Sequence, residues 1–256
     1  MKISKKLISA IAMLTLSFVM LVTSSYAWFS MNEKVTAKGM NVTAKGNQVY
    51  LQIATASDGF TDGSAQTEAG ALKKDYELLP STVVKGIKEG NNKQTDPYVT
   101  GGAFTFVTNI SNGEAGGLGA YLPAGEYSEA TNGTNKYYLD NSFFFRLDPS
   151  AGAEASTSGL KVNSISLAVE NADNEDFAKC LSVFIVNPTS KAGAIYTQGA
   201  SGFVANAAVL SDAITSTPVQ LDVYIFFDGE HPNCNLEDLY AAGDATYKVE
   251  IEFTCA

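Results

Sequence analysis

Tyr247-Lys248-Val249-Glu250-Ile251-Glu252-Phe253 alternates apolar and charged residues without a break. In an extended chain, successive side chains point to opposite faces. Tyr247, Val249, Ile251 and Phe253 therefore share one face, and Lys248, Glu250 and Glu252 share the other. That is a strand with one wet side. The same period governs the stretch upstream, where Val219, Leu221, Val223, Ile225 and Phe227 alternate with Gln220, Asp222, Tyr224 and Phe226. Val49, Leu51 and Ile53 form a shorter set, as do Ile165, Leu167 and Val169. Ala103–Thr108, Ser142–Leu147 and Leu181–Val186 are apolar on both faces, as expected of central, covered strands.

Helical periodicity is nearly absent. Only Leu72–Leu79, Ala205–Ile214 and Leu236–Ala242 are expected as short helical turns. Between the strand runs lie Ser57–Gly70, Gly86–Asp96, Ser111–Gly119, Asn132–Asn135 and Pro149–Gly159, rich in Gly, Asn, Ser, Asp and Thr. Many strands, long polar loops and few helical turns predict an all-β chain folded as a two-sheet, jelly-roll-like sandwich. No fixed-period repeat or Pro/Ser linker divides it, so one domain is expected.

Residues 1–27 read as a signal peptide. Lys2, Lys5 and Lys6 precede an uncharged apolar run, Leu7–Val22, and Ser25 and Ala27 occupy the −3 and −1 cleavage positions. The run is about 16 residues, short of the ~20 that a spanning helix needs. Export, with a signal peptidase as transient partner, is therefore expected, and membrane contact only through the uncleaved signal. The expected location is extracellular, in a matrix or at the cell surface. Lys and Arg number 17 against 27 Asp and Glu, a net charge of −10, and three of the lysines belong to the leader. Such acidity excludes nucleic acid and anionic membranes as natural partners, because both are bound through basic clusters.

Residues 28–38 follow the leader directly. Phe29, Met31, Val35 and Ala37 share one face, with Glu33 the exception; after Gly39 the phase changes and Met40, Val42 and Ala44 take over. A glycine at a phase change predicts a bulge or bend. The chain thus divides into a segment 28–38 and a sandwich domain 39–256. The apolar segment either forms the first strand of its own domain or adds to the sheet of a neighbouring copy. Burying Phe29, Met31 and Val35 would contribute about 1.5–3 kcal/mol each. Head-to-tail addition does not close on itself and builds filaments.

Tyr26-Ala27-Trp28-Phe29-Ser30-Met31-Asn32 through Gly39-Met40-Asn41-Val42 resembles the TasA/camelysin group, Gram-positive exported proteins processed by a SipW-like signal peptidase. Val223 through Cys234 is similar to a segment ending many proteins with the same leader. The resemblance implies a jelly-roll fold, secretion into the biofilm matrix, and fibre assembly by N-terminal strand donation to the next subunit. The donor would run from Trp28 to about Lys38, with Trp28, Phe29, Met31, Val35 and Ala37 as its apolar residues.

Catalytic patterns are missing. His231 is the single histidine, and a zinc protease needs about three protein ligands around an open position. No Gly-x-Ser-x-Gly elbow exists for a serine nucleophile. The chain therefore reads as no enzyme and as needing no cofactor. Asp173-Asn174-Glu175-Asp176 and Asp228-Gly229-Glu230, the latter with Glu237 and Asp238, offer oxygen ligands of the kind calcium takes. Neither has EF-hand spacing; solvated turn carboxylates are the plainer account, and a structural Ca²⁺ at Asp228, Glu230, Glu237 and Asp238 the sharper one. Cys180, Cys234 and Cys255 allow one disulfide and one free thiol, with three pairings open. Tyr137, Tyr138 and Phe143–Phe145 read as core packing before a sugar-stacking platform. Two functions compete: a fibre-forming structural protein, or a monomeric secreted adhesin or glycan- or protein-binding module whose loops form the site.

Overall fold

Among the described residues of the computed structural model there are seventeen strands, and the chain divides into two units, residues 1–33 and 34–256. The structure describes residues 36–255 apart from 46–50, 63–65, 67, 70–77, 88–94, 109, 113–117, 122–126, 134–135, 150–156, 172–175, 205, 207 and 235–244. The back sheet has five strands in the order β15 (Ser211–Ile214), β11 (Thr157–Glu170), β17 (Thr246–Cys255), β1 (Thr36–Lys45) and β3 (Glu68–Ala69). The front sheet has six: β14 (Gly202–Phe203), β13 (Gly193–Gly199), β12 (Leu181–Val186), β16 (Val219–Phe227), β10 (Leu139–Leu147) and β2 (Leu51–Ala54).

The core lies between these sheets. β17 turns Tyr247, Val249, Ile251 and Phe253 inward, and β16 turns Leu221, Val223, Ile225 and Phe227 to meet them. Rings bridge the gap: Phe145 lies 4.8 Å from Phe253 and Phe227 lies 5.3 Å from Tyr247, centroid to centroid. The predicted all-β sandwich is thus the fold.

A third, smaller sheet covers part of the front sheet's other face. It runs β5 (Thr95–Pro97), β4 (Thr82–Ile87), β6 (Thr105–Thr108), β9 (Ser128–Glu129). Val83 and Phe106 pack there against Phe184, Val186 and Phe226. This cover explains why every residue of β12 is buried, as its two-sided apolar sequence requires. A separate hairpin pairs β7 (Ile110–Asn112) with β8 (Leu118–Tyr121).

Two expectations are corrected. Ala205–Ile214 is not a helical turn where it is described: after a bend at Leu210 it becomes β15. Leu210 donates its N–H to the Leu160 carbonyl, and Ile214 pairs with Thr157, so edge pairing with β11 and burial of both apolar residues outweigh the helix preference of the alanines. Ser142–Leu147 is not covered on both faces. β10 alternates, with Phe143, Phe145 and Leu147 buried and Ser142, Phe144 and Arg146 half-exposed, so its polar residues set one side open. Of the other expected helical turns, Leu236–Ala242 lies outside the described residues, and the described end of Leu72–Leu79 is extended, Leu78 bridging to Lys136. A 3-10 turn, Asp176–Cys180, leads into β12.

Candidate functional site

β1 is the strand most directly joined to the apolar N-terminal segment. It runs parallel to β17, from Thr36 opposite Thr246 to Lys45 opposite Thr254, with a register shift between Ala37 and Met40. That irregularity spans Gly39, where the change of phase predicted one. Thr36 and Ala37 belong to this strand ahead of Gly39, and the backbone of Ala37 pairs with Tyr247 of its own chain. Ala37 is therefore not spare for donation. The other donor candidates, Trp28, Phe29, Met31 and Val35, lie outside the described residues, as do the cleavage positions Ser25 and Ala27. On its far side, among the described residues, β1 pairs with β3 at Val42 and Thr43. Among the described residues no strand pairs along the rest of that edge, and an uncovered edge is a template for an added strand.

The acidic loop after β16 is built from consecutive turns. His231 donates its N–H to the Asp228 carbonyl at 3.0 Å, and Cys234 donates to the His231 carbonyl at 2.8 Å. The Asp228 side chain accepts from the Thr82 hydroxyl and from the Glu230 N–H. Burial raises its pKa from the usual aspartate value, and those two donors oppose the rise. Glu230 is turned elsewhere, accepting from the Tyr127 hydroxyl at 2.5 Å, which pushes that phenol up to about 12. Glu237 and Asp238 lie outside the described residues. Among the described residues no three His, Cys, Asp or Glu side chains converge on a point that would hold a metal ion. His231 takes part in the turn itself, its Nδ1 accepting from the Asn233 N–H at 3.2 Å.

All three cysteines are buried. Cys180 ends the 3-10 turn and donates to the Phe177 carbonyl at 2.7 Å. The neighbouring Cys234 thiol, together with burial, pushes its pKa strongly upward. Cys255 sits at the other end of β17. Of the three pairings open to the sequence, the fold brings together one.

The aromatic runs divide between the two faces of the front sheet. Tyr137, Phe143 and Phe145 are buried in cores. Tyr138 stacks on Phe106 at 4.2 Å and meets Tyr224 edge-on at 5.5 Å. Tyr224 is pushed up to about 12 by burial and by Asp222, Tyr138 and Asp140. Beside these rings a polar strip stays half-open. The Ser142 hydroxyl and the Gln220 amide both donate to Asp222, at 2.7 Å each. Arg146, the only arginine, lies over the Phe60 ring at 4.5 Å, donates to Gln52 at 2.9 Å and pairs with Asp62 at 2.6 Å. Sequence reading missed this strip, whose signal was the polar alternation Asp140, Ser142, Arg146 opposite Gln220 and Asp222.

Among the described residues no helix is long and apolar enough to cross a membrane. No protein-family model, curated protein or solved structure matches the chain.

Proposed function

We propose that this chain is an exported structural subunit of a cell surface or biofilm matrix that polymerises when the segment ahead of β1 adds a strand to the next copy. The observation that carries the reading is the edge of β1, paired among the described residues at Val42 and Thr43 and continuous in sequence with Trp28–Val35. With Thr36 and Ala37 held at home, the donor is the stretch 28–35, shorter than the resemblance implies. Its Trp28, Phe29, Met31 and Val35 would bury against a neighbour, and its backbone would gain about 1 kcal/mol net per hydrogen bond. No catalysis and no cofactor enter this reading; protease activity lost on His231→Ala would overturn it.

The test compares two chains, one starting at Trp28 and one at Thr36. Electron microscopy and sedimentation at rising concentration should show filaments for the first alone, with equal thermal midpoints for both. Equal assembly of the two, or none by either, removes strand donation. The half-open strip of Phe144, Ser142, Gln220 and Asp222 favours a second reading, a monomeric module binding glycan or protein. Saturable glycan binding that is lost on Phe144→Ala, in a chain that stays monomeric, would establish it.

A further inference from the structure

We infer that Cys180 and Cys234 are a disulfide-forming pair, closed by exchange with a disulfide-bearing oxidant as the chain folds outside the cell, and that Cys255 stays outside the bridge. The pair is assembled by two separate local devices. The 3-10 turn Asp176–Cys180 sets Cys180 at the mouth of β12, where its carbonyl accepts from the Asp228 N–H at 2.8 Å. From Asp228 the chain makes two successive three-residue steps, Asp228 to His231 and His231 to Cys234, each closed by a backbone hydrogen bond. The chain thus curls back on the point it left, and the second thiol arrives against the first. Both side chains belong to the same buried core.

Cys255 is excluded by distance. Phe177 contacts Phe227 at 4.7 Å and Phe227 contacts Tyr247 at 5.3 Å, so Tyr247 lies at the level of the pair. Cys255 follows eight residues later on the same strand, which at ~3.3 Å per residue places it roughly 26 Å away. A disulfide spans only ~5.5–6 Å between Cα atoms.

The chemistry balances as ordinary thiol–disulfide exchange. The Cys234 thiolate attacks one sulfur of the oxidant's disulfide and expels the other as a thiolate. Cys180, deprotonated, then attacks the Cys234 sulfur of the mixed disulfide and expels the oxidant's second thiolate. Two electrons pass to the oxidant, its two sulfurs leave as thiols, and the chain loses two hydrogens. Burial and the neighbouring thiol hold Cys180 protonated in the finished core, so exchange occurs before the core closes. The closed bond is then shielded from reductant by the same burial.

The test is mass spectrometry of the full chain after refolding in oxidised and reduced glutathione. A loss of about 2 Da on oxidation, one thiol titratable after denaturation, and a non-reduced peptide joining Cys180 to Cys234 are expected. Cys255→Ser should keep the 2 Da loss, and Cys234→Ser should abolish it. The oxidised chain should melt roughly 5–10 °C above the reduced one. Three free thiols after oxidative refolding, a bridge to Cys255, or a covalent dimer through Cys234 would each overturn the assignment. The peptide evidence comes from the unaltered chain, so a variant that fails to fold does not blunt the test.

Discussion

The two faces of the front sheet are made by the same strands and are built to different rules. Its inner face presents Phe143, Phe145, Leu221, Val223 and Ile225 to a full opposing sheet, and each is buried. Its outer face uses the alternate residues of those strands, and these change character along the sheet. At β12 and the end of β16 they are Phe184 and Phe226, roofed by Val83 and Phe106. At β10 and the start of β16 they are Asp140, Ser142, Gln220 and Asp222, with the strip half-open. The inner face therefore makes the domain, whereas the outer face carries an accessory layer held mainly by aromatic rings. Phe104 packs at 4.9 Å from Phe184, and Phe106 at 5.3 Å from Phe226. Rings packed edge to face tolerate one wet side in a way that a close-packed aliphatic core does not.

Breaking each face should cost differently. Phe143→Ala removes a ring sealed between the two large sheets and should cost about 3–5 kcal/mol, seen as one cooperative loss in chemical denaturation. Phe106→Ala should cost less, about 2–4 kcal/mol, and act locally. Hydrogen exchange should rise along Thr82–Ile87 and Thr105–Thr108 while the β11–β17 ladder stays protected. If both substitutions melt the whole chain together, the outer layer is no accessory but part of one cooperative unit.

The inner face was legible in the sequence and the outer one was not, for a physical reason. Tyr247–Phe253 and Val219–Phe227 have charged or polar residues on one side, which fixes their phase, and their inward residues are those found buried. Leu181–Val186 announces cover on both faces because both sets are apolar, yet nothing in it says what the second cover is. The covering strands are short, and their partners lie far off in the chain. Ser142–Leu147 looked equally apolar, but Ser142 and Arg146 are the residues that decide its outer side. At the candidate sites, the irregularity at Gly39 was readable from a change of phase. The cysteine pairing was not, because it depends on two turns returning Cys234 to Cys180.

At Gly193, on β13, there is no room for a side chain. A Cβ on Gly193 would sit 2.8 Å from the Ile185 carbonyl oxygen and 2.9 Å from the Tyr98 hydroxyl. Tyr98 packs its ring on Phe184 at 5.0 Å, and Thr100 donates to the Gly193 carbonyl at 3.0 Å. Gly193→Ala should therefore cost about 1–3 kcal/mol by overpacking. Tyr98 can swing away and the Ile185 backbone cannot, so near-ultraviolet dichroism should report a freed tyrosine. An unchanged aromatic signal would mean that the outer layer yields elsewhere.

The smallest effect tests the fastening between the layers. β4 joins the end of β16 through Ser81, which donates its N–H to the Phe227 carbonyl at 2.9 Å and accepts from the Gly229 N–H at 3.0 Å. Beside it the Thr82 hydroxyl donates to Asp228. Burial raises the Asp228 pKa above 3.8, Glu230 adds to the rise, and Thr82, the Glu230 N–H and His231 oppose it. A folded-state pKa above the unfolded one means that the folded chain holds the proton more tightly. The group's contribution is then fully present below about pH 3.8 and is lost as pH climbs through the raised value. Above that, the ionised carboxylate is a standing cost. Asp228→Asn keeps an oxygen able to accept from Thr82 and from Glu230, and it does not titrate. Its thermal midpoint relative to the natural chain should therefore rise between pH 3 and pH 7. A difference that stays flat, or that falls with pH, would show that the Thr82 bond to the carboxylate outweighs its burial, and that the joint is held by charge.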